Sequence, residues 1–373
     1  MLDPIVNFFT RIFQLIGRGI GLFIGVLLWP FLWAGRWYTQ RGWILKAVLG
    51  LIVAVIIALY GIFFWNTQIW TNFNPAYVES YTFGPPTGSK EEVTDEGQEG
   101  QVKTCTTSGI VQVTADLLDF NVNQNSWISS TIIYKLGLFG IDWDHTPWFD
   151  NKASFQRGTH QAIRRTAVEL VDTLGRVRGT SQIDQNLQDA RGAVEFDEET
   201  WYFGLRPFGP KTPTPSFYRT GITSLRNFND RLLKCETVFN ARADNLARFV
   251  DRIASDLGST ADIISNQAQT SNNGWFDPRA DDRFWFAYGQ LYAYYGLMEA
   301  TRSDFEAVIQ TRGLGPLWDR LEAQFKNALR IQPLLISNGR EDGWIMPSHL
   351  TTMGFYMLSV RTNLVEIRSV LDR

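Results

Sequence analysis

The stretch from Trp43 to Trp65 constrains this chain more than any other feature. After Lys46 no charged residue occurs until Glu79, and residues 48–64 are almost all Leu, Ile, Val, Ala or Phe. A helix needs about 20 apolar residues to cross the hydrocarbon core of a bilayer. The tryptophans at its two ends are typical of the aromatic belts at membrane interfaces. This stretch is therefore predicted to be a transmembrane helix.

Basic residues lie on one side of this helix. Five precede it, and no Lys or Arg occurs from residue 66 to residue 89; the five are Arg11, Arg18, Arg36, Arg41 and Lys46. Because positive residues collect in cytoplasmic loops, the N-terminus is expected in the cytoplasm and the chain beyond about residue 70 outside it. In a bacterium this means a single-pass inner-membrane protein with a periplasmic C-terminal domain.

The N-terminal segment 1–42 is also predicted to contact the membrane. Apolar residues at 3/4 spacing from 5 to 16 indicate a helix on the membrane surface. Residues 19–35 are apolar but short, and Pro30 interrupts them. They either dip into the inner leaflet and return, or span fully and form a hairpin with 43–65. The dip is favoured, because a full span would place Arg11 and Arg18 outside.

Small residues recur at four-residue spacing in both apolar segments. This pattern allows membrane helices to approach closely, and simple flexibility is the alternative. The predicted contacts are with a protein partner or a second copy of the chain, in addition to the lipid bilayer. The residues are Gly17, Gly21, Gly25, Gly50, Ala54 and Ala58.

The rest of the chain divides into a linker, 66–104, and a domain, 105–373. Residues 84–101 are rich in Pro, Gly and acids and indicate a flexible loop. Beyond them the chain is predicted to be all-α, and the longest predicted helix, 216–257, has the clearest apolar seam. Ile110 to Val113 is the only short piece with ambiguous strand character. The predicted helices are 108–121, 126–136, 152–178, 182–193, 216–257, 282–311, 315–331 and 348–372.

Landmarks recur in the same order within this domain and predict a duplicated helical unit, about 148–257 and 275–372. The glycine before an alanine is expected to give each unit's first helix a smooth face for close packing. The paired landmarks are Trp148-Phe149-Asp150 with Trp275-Phe276-Asp277, Phe155-x-x-Gly158-x-x-x-Ala162 with Phe286-x-x-Gly289-x-x-x-Ala293, Arg178-Gly179 with Arg312-Gly313, acidic loops ending in Trp201 and Trp344, and Pro215-Ser216 with Pro347-Ser348.

Composition excludes some classes of function. The net charge of −3 argues against nucleic-acid binding. The two cysteines, Cys105 and Cys235, form a disulfide in an oxidising compartment, or remain two buried thiols. Eight of the 14 tryptophans fall in the outer domain, where core packing is the ordinary explanation.

No motif for catalysis or cofactor binding is present. His145, His160 and His349 have no metal-ligand spacing, so neither a metal nor a cofactor is predicted. Acids beside tryptophans, Glu198 with Trp201 and Glu341 with Trp344, are candidate ligand loops. Such pairs suit glycan cleavage or binding, but acids flanking helices are also ordinary charge placement.

The chain combines an apolar N-terminus, one strong predicted span and a helical domain. The domain contains two short segments, Trp275 to Pro278 (WFDP) and Trp344 to Ser348 (W-x-M-P-S). In this layout the chain resembles a bacterial, mainly proteobacterial, family of inner-membrane proteins known only as a domain of unknown function. The resemblance covers most of the chain. It implies a cell-envelope location and no reaction, ligand or catalytic residue.

These observations favour a non-enzymatic role. We expect a membrane-anchored periplasmic scaffold or assembly factor of the cell envelope. The alternative is a peptidoglycan-binding or glycan-cleaving module that uses the tryptophans and acidic loops.

Overall fold

The computed structural model describes residues 3–84, 105–176, 182–205, 207–271, 274, 277–340 and 346–373. Helices make up 72 % of the structure and strands 3 %, which confirms the all-α prediction. The chain forms two compact units, Met1–Ile62 and Phe63–Arg373.

The first unit contains α1 (Asp3–Thr39) and most of α2 (Trp43–Gln68). The sequence predicts an interruption at Pro30, but α1 continues through it, and the two parts Gly17–Val26 and Leu28–Thr39 are bent by 43°. Pro30 has no N–H to donate to the carbonyl of Val26, which accounts for a bend here. The dip of residues 19–35 into the inner leaflet stays a prediction.

Among the described residues, α2 is the one unbent helix that is long and apolar enough to cross a membrane. Its side chains before Phe63 are mostly exposed, including Leu51, Ile57 and Ile62. A core helix of a water-soluble domain would bury such residues, because their exposure to water is unfavourable. The exposed apolar surface therefore fits a lipid environment.

The small residues predicted to pack in the membrane lie on exposed surfaces of the first unit. A Cβ added to Gly17, Gly21 or Gly25 would meet nothing within 4 Å. At Gly50 it would lie 3.4 Å from the Tyr38 hydroxyl. Ala54 and Ala58 are exposed as well. Their contact with another helix stays a prediction.

The second unit consists of helices and one short antiparallel hairpin. Single π-helical turns extend two of the helices, α3 to Gln124 and α5 to Leu174. The elements are α3 (Gly109–Asp119), α4 (Ile132–Leu136), α5 (Asn151–Glu169), α6 (Gln185–Val194), β1 (Phe203–Leu205), β2 (Phe208–Pro210), α7 (Thr214–Leu233), α8 (Ala243–Thr270), α9 (Ala280–Asp304), α10 (Glu306–Thr311), α11 (Gly315–Leu329) and α12 (His349–Leu371).

Helices α5 and α9 form the centre of the domain and run side by side in the same direction. Near their starts, Ser154 Oγ donates to Asp282 Oδ1 at 2.6 Å. Midway, a Cβ on Gly158 would collide with the Phe286 carbonyl, and a Cβ on Gly289 would collide with the Phe155 carbonyl. The two glycines therefore let the two backbones touch, each against the other helix, in a reciprocal arrangement.

The other helices pack around this pair. Helices α6 and α7 pack on each other, α3 lies against α7 and α9, and α8 and α12 form a long pair beside α11. The buried carboxylate of Asp256 on α8 connects three helices. It accepts hydrogen bonds from Gln161 on α5 at 3.0 Å and from Gln290 and Tyr294 on α9 at 2.9 and 2.7 Å. A buried charge is tolerated when its lone pairs are satisfied in this way.

The single long helix predicted for 216–257 is wrong. Helix α7 ends at Leu233, and α8 begins at Ala243. Cys235 adopts a φ of 62°, which breaks the helix, and Phe239 packs against Phe305 instead of continuing a helical face. Cys235 and Phe239 make tertiary contacts at helical spacing, so the apolar pattern alone could not reveal the break.

The predicted linker 66–104 needs correction in its first half. Residues 66–84 pack on the domain, and the rings of Trp70, Phe73, Tyr77 and Phe83 contact its core. The acidic remainder lies outside the described residues. The ambiguous piece Ile110 to Val113 belongs to α3, in agreement with the predicted helix 108–121, whereas the hairpin formed by β1 and β2 was not predicted.

We expect Gly158→Ala to destabilise the domain by about 1–3 kcal/mol or more, the usual result of overpacking a core. The new Cβ would lie 2.8 Å from the carbonyl carbon of Phe286 and 3.1 Å from Gln290 N. The measurement is chemical unfolding of the full chain in detergent. Gly192→Ala on α6 is the matched control, because a Cβ there meets nothing within 4 Å. Equal stability of the two variants would contradict this account of the helix contact.

Candidate functional site

The last turns of α2, residues 63–68, belong to the second unit, and their contacts within it are called the junction here. The exposed apolar surface of α2 ends at Phe63, which is 4 % exposed. The Phe63 ring lies 4.8 Å from that of Trp143, and the Phe64 ring lies 5.6 Å from that of Phe149. The last turns of the helix are thus part of the domain core, with no free linker between helix and domain.

A buried lysine binds the end of α2. Lys152 is 3 % exposed, and its Nζ donates to the carbonyls of Asn66 and Ile69 at 2.8 and 2.7 Å. The last carbonyls of a helix have no partner within the helix, and its C-terminus carries partial negative charge, so a cation is well placed there. Burial lowers the pKa of the Lys152 amine to about 8.

Gln68 adds a second bond across the same junction. Its side-chain amide donates to the Trp148 carbonyl at 3.0 Å. Trp148 and Lys152 flank the start of α5, so α2 ends against the N-terminal end of the central helix. The negative end of one helix therefore meets the positive end of another.

Beyond α2 the chain crosses the central helix pair. The Trp70 ring contacts those of Phe155 on α5 and Trp285 on α9, at 5.1 and 5.2 Å. The Tyr77 hydroxyl then donates to the Tyr292 carbonyl at 2.9 Å and sits where a Cβ on Gly296 would be. This segment links the end of α2 to both α5 and α9.

The acidic loop predicted as a ligand site is held by arginines. Glu198 Oε1 accepts from Arg164 at 3.0 Å, and Arg157 bonds to Glu199 at 2.6 Å. Burial raises the pKa of Glu198, and the two guanidiniums oppose that rise. The backbone carbonyl of Glu198 also accepts from Trp127 Nε1 at 2.7 Å. These contacts give the loop a structural role.

Trp201 is half-buried, and the ring of the exposed Tyr202 lies 6.3 Å from it. The second predicted loop, with Glu341 and Trp344, lies outside the described residues. A cleft of about 400 Å³ lies beside Glu199, lined also by Tyr134, Lys135, Asp142, Trp143 and Arg157. The structure therefore brings the first acidic loop close to the junction with α2.

The histidines have no shared site. Burial lowers the pKa of His160 to about 3, so the ring is neutral, and its Nε2 donates to the Val194 carbonyl at 2.8 Å. His349 Nδ1 accepts from Ser337 N at 2.9 Å. Within the described ranges, no group of three or more His, Cys, Asp and Glu side chains is arranged to hold a metal ion.

Cys105 and Cys235 are joined by a disulfide, with their Cα atoms 5.5 Å apart. The bond closes a loop of 130 residues that contains the first set of helices. It holds the start of the domain against the end of α7. Among the described residues there is no free cysteine.

Sequence reasoning missed Lys152 and the packing of residues 66–84. A signal was present for the lysine. A cation in the first turn of a helix opposes the helix dipole, so Lys152 at the second residue of α5 indicates a specific partner. No comparable signal identifies Trp70 as a core residue, because the aromatic belt of a membrane helix is an equally good explanation.

Two comparisons with known proteins gave no match: no curated protein and no solved structure matches the chain. A family model described as an uncharacterised protein conserved in bacteria, DUF2333, matches residues 39–274. The matched region contains α2 and the helices from α3 to α8.

We expect Lys152→Met to destabilise the full chain by about 1.5–3 kcal/mol, the usual value for hydrogen bonds made by a charged group. Lys135→Met, which alters an exposed lysine in the same region, is the control. The pKa of Lys152 is lower in the folded state than in the unfolded state. Between about pH 8 and the usual value near 10.5 the unfolded chain binds more protons, so this residue makes stability rise with pH.

Unfolding of both variants and the parent chain at pH 7 and pH 10 measures this effect. The parent and Lys135→Met should gain stability from this titration, and Lys152→Met should lack that gain. An identical pH slope in all three proteins would contradict the assigned role of Lys152.

Proposed function

This chain belongs to the DUF2333 family of bacterial proteins, and we propose that it is a single-pass inner-membrane protein that holds a helical scaffold domain at the periplasmic face of the membrane. One observation carries the proposal. The exposed apolar surface of α2 ends at Phe63, where the helix becomes part of the domain core. The proposed span therefore continues into the domain without an intervening linker.

The orientation follows from charge. Arg36, Arg41 and Lys46 lie just before or at the start of α2, and no Lys or Arg follows α2 until Lys90. This asymmetry favours a cytoplasmic N-terminus. The periplasm is an oxidising compartment, in which the disulfide between Cys105 and Cys235 would persist.

A scaffold role is supported by what the domain contains. The buried Asp256 and the half-buried Glu198 bond to other parts of the fold, and these contacts support a structural role for both carboxylates. Long helices with exposed apolar residues, such as Phe355 and Leu358 on α12, offer surfaces for contact with other proteins. The non-enzymatic assembly factor is therefore our preferred function.

We also propose that the domain is a duplicated unit. Gly158 on α5 and Gly289 on α9 contact each other's helix in the same manner, at equivalent places in the two sequence repeats. The order of packing supports this correspondence, since α7 lies beside α3 and α6 as α12 lies beside α8 and α11. Such an arrangement is expected when two copies of one unit share a core.

Topology can be tested with a reporter enzyme fused after Arg373 that is active only in the periplasm. Because the positive residues precede α2, we expect full activity in intact cells. A matched fusion to residues 1–42, which end before the span, is the control and should be inactive. A reporter active only in the cytosol would overturn the proposed orientation.

The scaffold role can be tested by crosslinking in native membranes followed by purification of the full chain. We expect a co-purifying protein or a second copy of this chain, lost in Gly21→Leu because a large side chain blocks close helix packing. Gly19→Leu is the matched control, because it adds the same bulk to a glycine of α1 outside the four-residue repeat.

Equal recovery from both variants would count against the small-residue stripe as the contact surface. Absence of any protein partner or second copy from the parent chain would contradict the scaffold proposal. Recovery of peptidoglycan fragments instead, lost in Trp201→Ala, would support the glycan-binding alternative.

A further inference from the structure

The segment Leu136–Ile141 forms an unusual turn. Leu138 and Ile141 exchange backbone hydrogen bonds, Leu138 N to Ile141 O at 2.7 Å and Ile141 N to Leu138 O at 3.2 Å. The two residues between them, Phe139 and Gly140, have φ values of 54° and 94°. Positive φ at both central residues defines a type I′ turn, in which Asn, Asp and Gly are the preferred residues. A phenylalanine in this conformation is strained.

The same turn exposes four apolar side chains in six residues. Phe139 is 81 % exposed, Ile141 58 % and Leu136 56 %, and Leu138 is also exposed. Single exposed apolar residues are common on protein surfaces, but a contiguous apolar tip is a mark of an interaction site. The turn is therefore both strained in its backbone and apolar on its exposed surface. A sequence selected for solubility would have Asn-Gly at the two central positions.

The turn is fixed beside the end of α2. Trp143, two residues after Ile141, donates from Nε1 to the Ile133 carbonyl at 2.9 Å and so closes the base of the loop. The Trp143 ring also packs against Phe63, where the exposed apolar surface of α2 ends. Two residues of extended chain span about 7 Å. The apolar tip is therefore tied through Trp143 to Phe63, the residue at which the exposed apolar surface of α2 ends.

We propose that the turn Leu136–Ile141 inserts into the lipid leaflet nearest the domain and forms a second membrane contact. This inference rests on the proposed function, because it takes α2 to be a membrane span. The occupant is lipid, since the base of the turn at Trp143 packs on Phe63, where the exposed apolar surface of the proposed span ends.

A second contact has a structural consequence. A domain attached only through α2 could tilt relative to the membrane plane, whereas a second inserted point opposes that tilt.

The test uses single cysteines in the full chain, labelled with the fluorophore NBD and reconstituted into vesicles of phosphatidylcholine and phosphatidylglycerol. Labels are placed at Ile141 in the turn, at Ile56 in α2 and at Ala307, which is exposed just beyond the end of α9. The native cysteines are joined in the disulfide, so labelling is done without reductant. Quenching is measured with shallow and deep doxyl lipids and with aqueous iodide.

At Ile141 we expect strong quenching by shallow doxyl lipid and at least threefold protection from iodide relative to Ala307. The Ile56 label should respond most to deep doxyl lipid. If Ile56 is quenched by lipid but Ile141 is as accessible to iodide as Ala307, the turn does not insert and the inference fails alone. If Ile56 is also open to iodide, the proposed span fails.

A third outcome identifies a different occupant. Protection of Ile141 from iodide without quenching by doxyl lipid, increasing with protein density in the vesicles, would assign the turn to contact between copies of the chain. That result would overturn lipid insertion. As a second measurement, the double variant Leu136→Ser and Ile141→Ser, with α2 intact, should restore iodide access at a label on Phe139→Cys.

Discussion

The direct contact between the backbones of α5 and α9 is the constraint around which the domain is arranged. Helices usually pack 8–10 Å apart because side chains separate them. Here Gly158 and Gly289 remove that separation at two points on opposite helices. The parallel pair places both N-terminal ends together, with Ser154 bonded to Asp282 across them. That end of the pair receives the last turns of α2 and the segment containing Trp70.

The junction then follows from helix electrostatics. Two helices that start together concentrate partial positive charge, and α2 arrives there with its negative C-terminal end. Lys152 lies in the first turn of α5, where its positive charge is unfavourable next to the dipole of its own helix. Its hydrogen bonds to the two carbonyls at the end of α2 offset that unfavourable interaction. Removal of this amine would leave two carbonyls beside apolar rings with no equivalent donor. The domain and the last turn of α2 are therefore coupled by a buried contact.

Sequence periodicity predicted most helices of the domain, and the glycine-to-alanine spacing correctly placed smooth faces on α5 and α9. The failures have a common physical origin. Cys235 and Phe239 continue an apolar pattern that in the structure serves a disulfide and a contact with Phe305, so pattern alone merged α7 and α8 into one helix. The position of Trp70 in the sequence is likewise compatible with an aromatic belt and with a protein core. Apolar spacing indicates which residues are buried, but it does not indicate which neighbouring residues bury them.

The contacts of the polar residues in the candidate site were equally difficult to predict from the sequence. Glu198 beside Trp201 matches a ligand loop by composition, but its partners Arg157 and Arg164 come from another helix, α5, more than 30 residues away. The contacts of Lys152 could not be predicted, because its partners are backbone carbonyls, which have no signature in a sequence. The informative features were instead residues in locally unfavourable positions. A lysine at a helix start and a phenylalanine at positive φ are each unfavourable locally, and each lies where α2 meets the domain. Residues that oppose local preference therefore mark this junction better than any motif does.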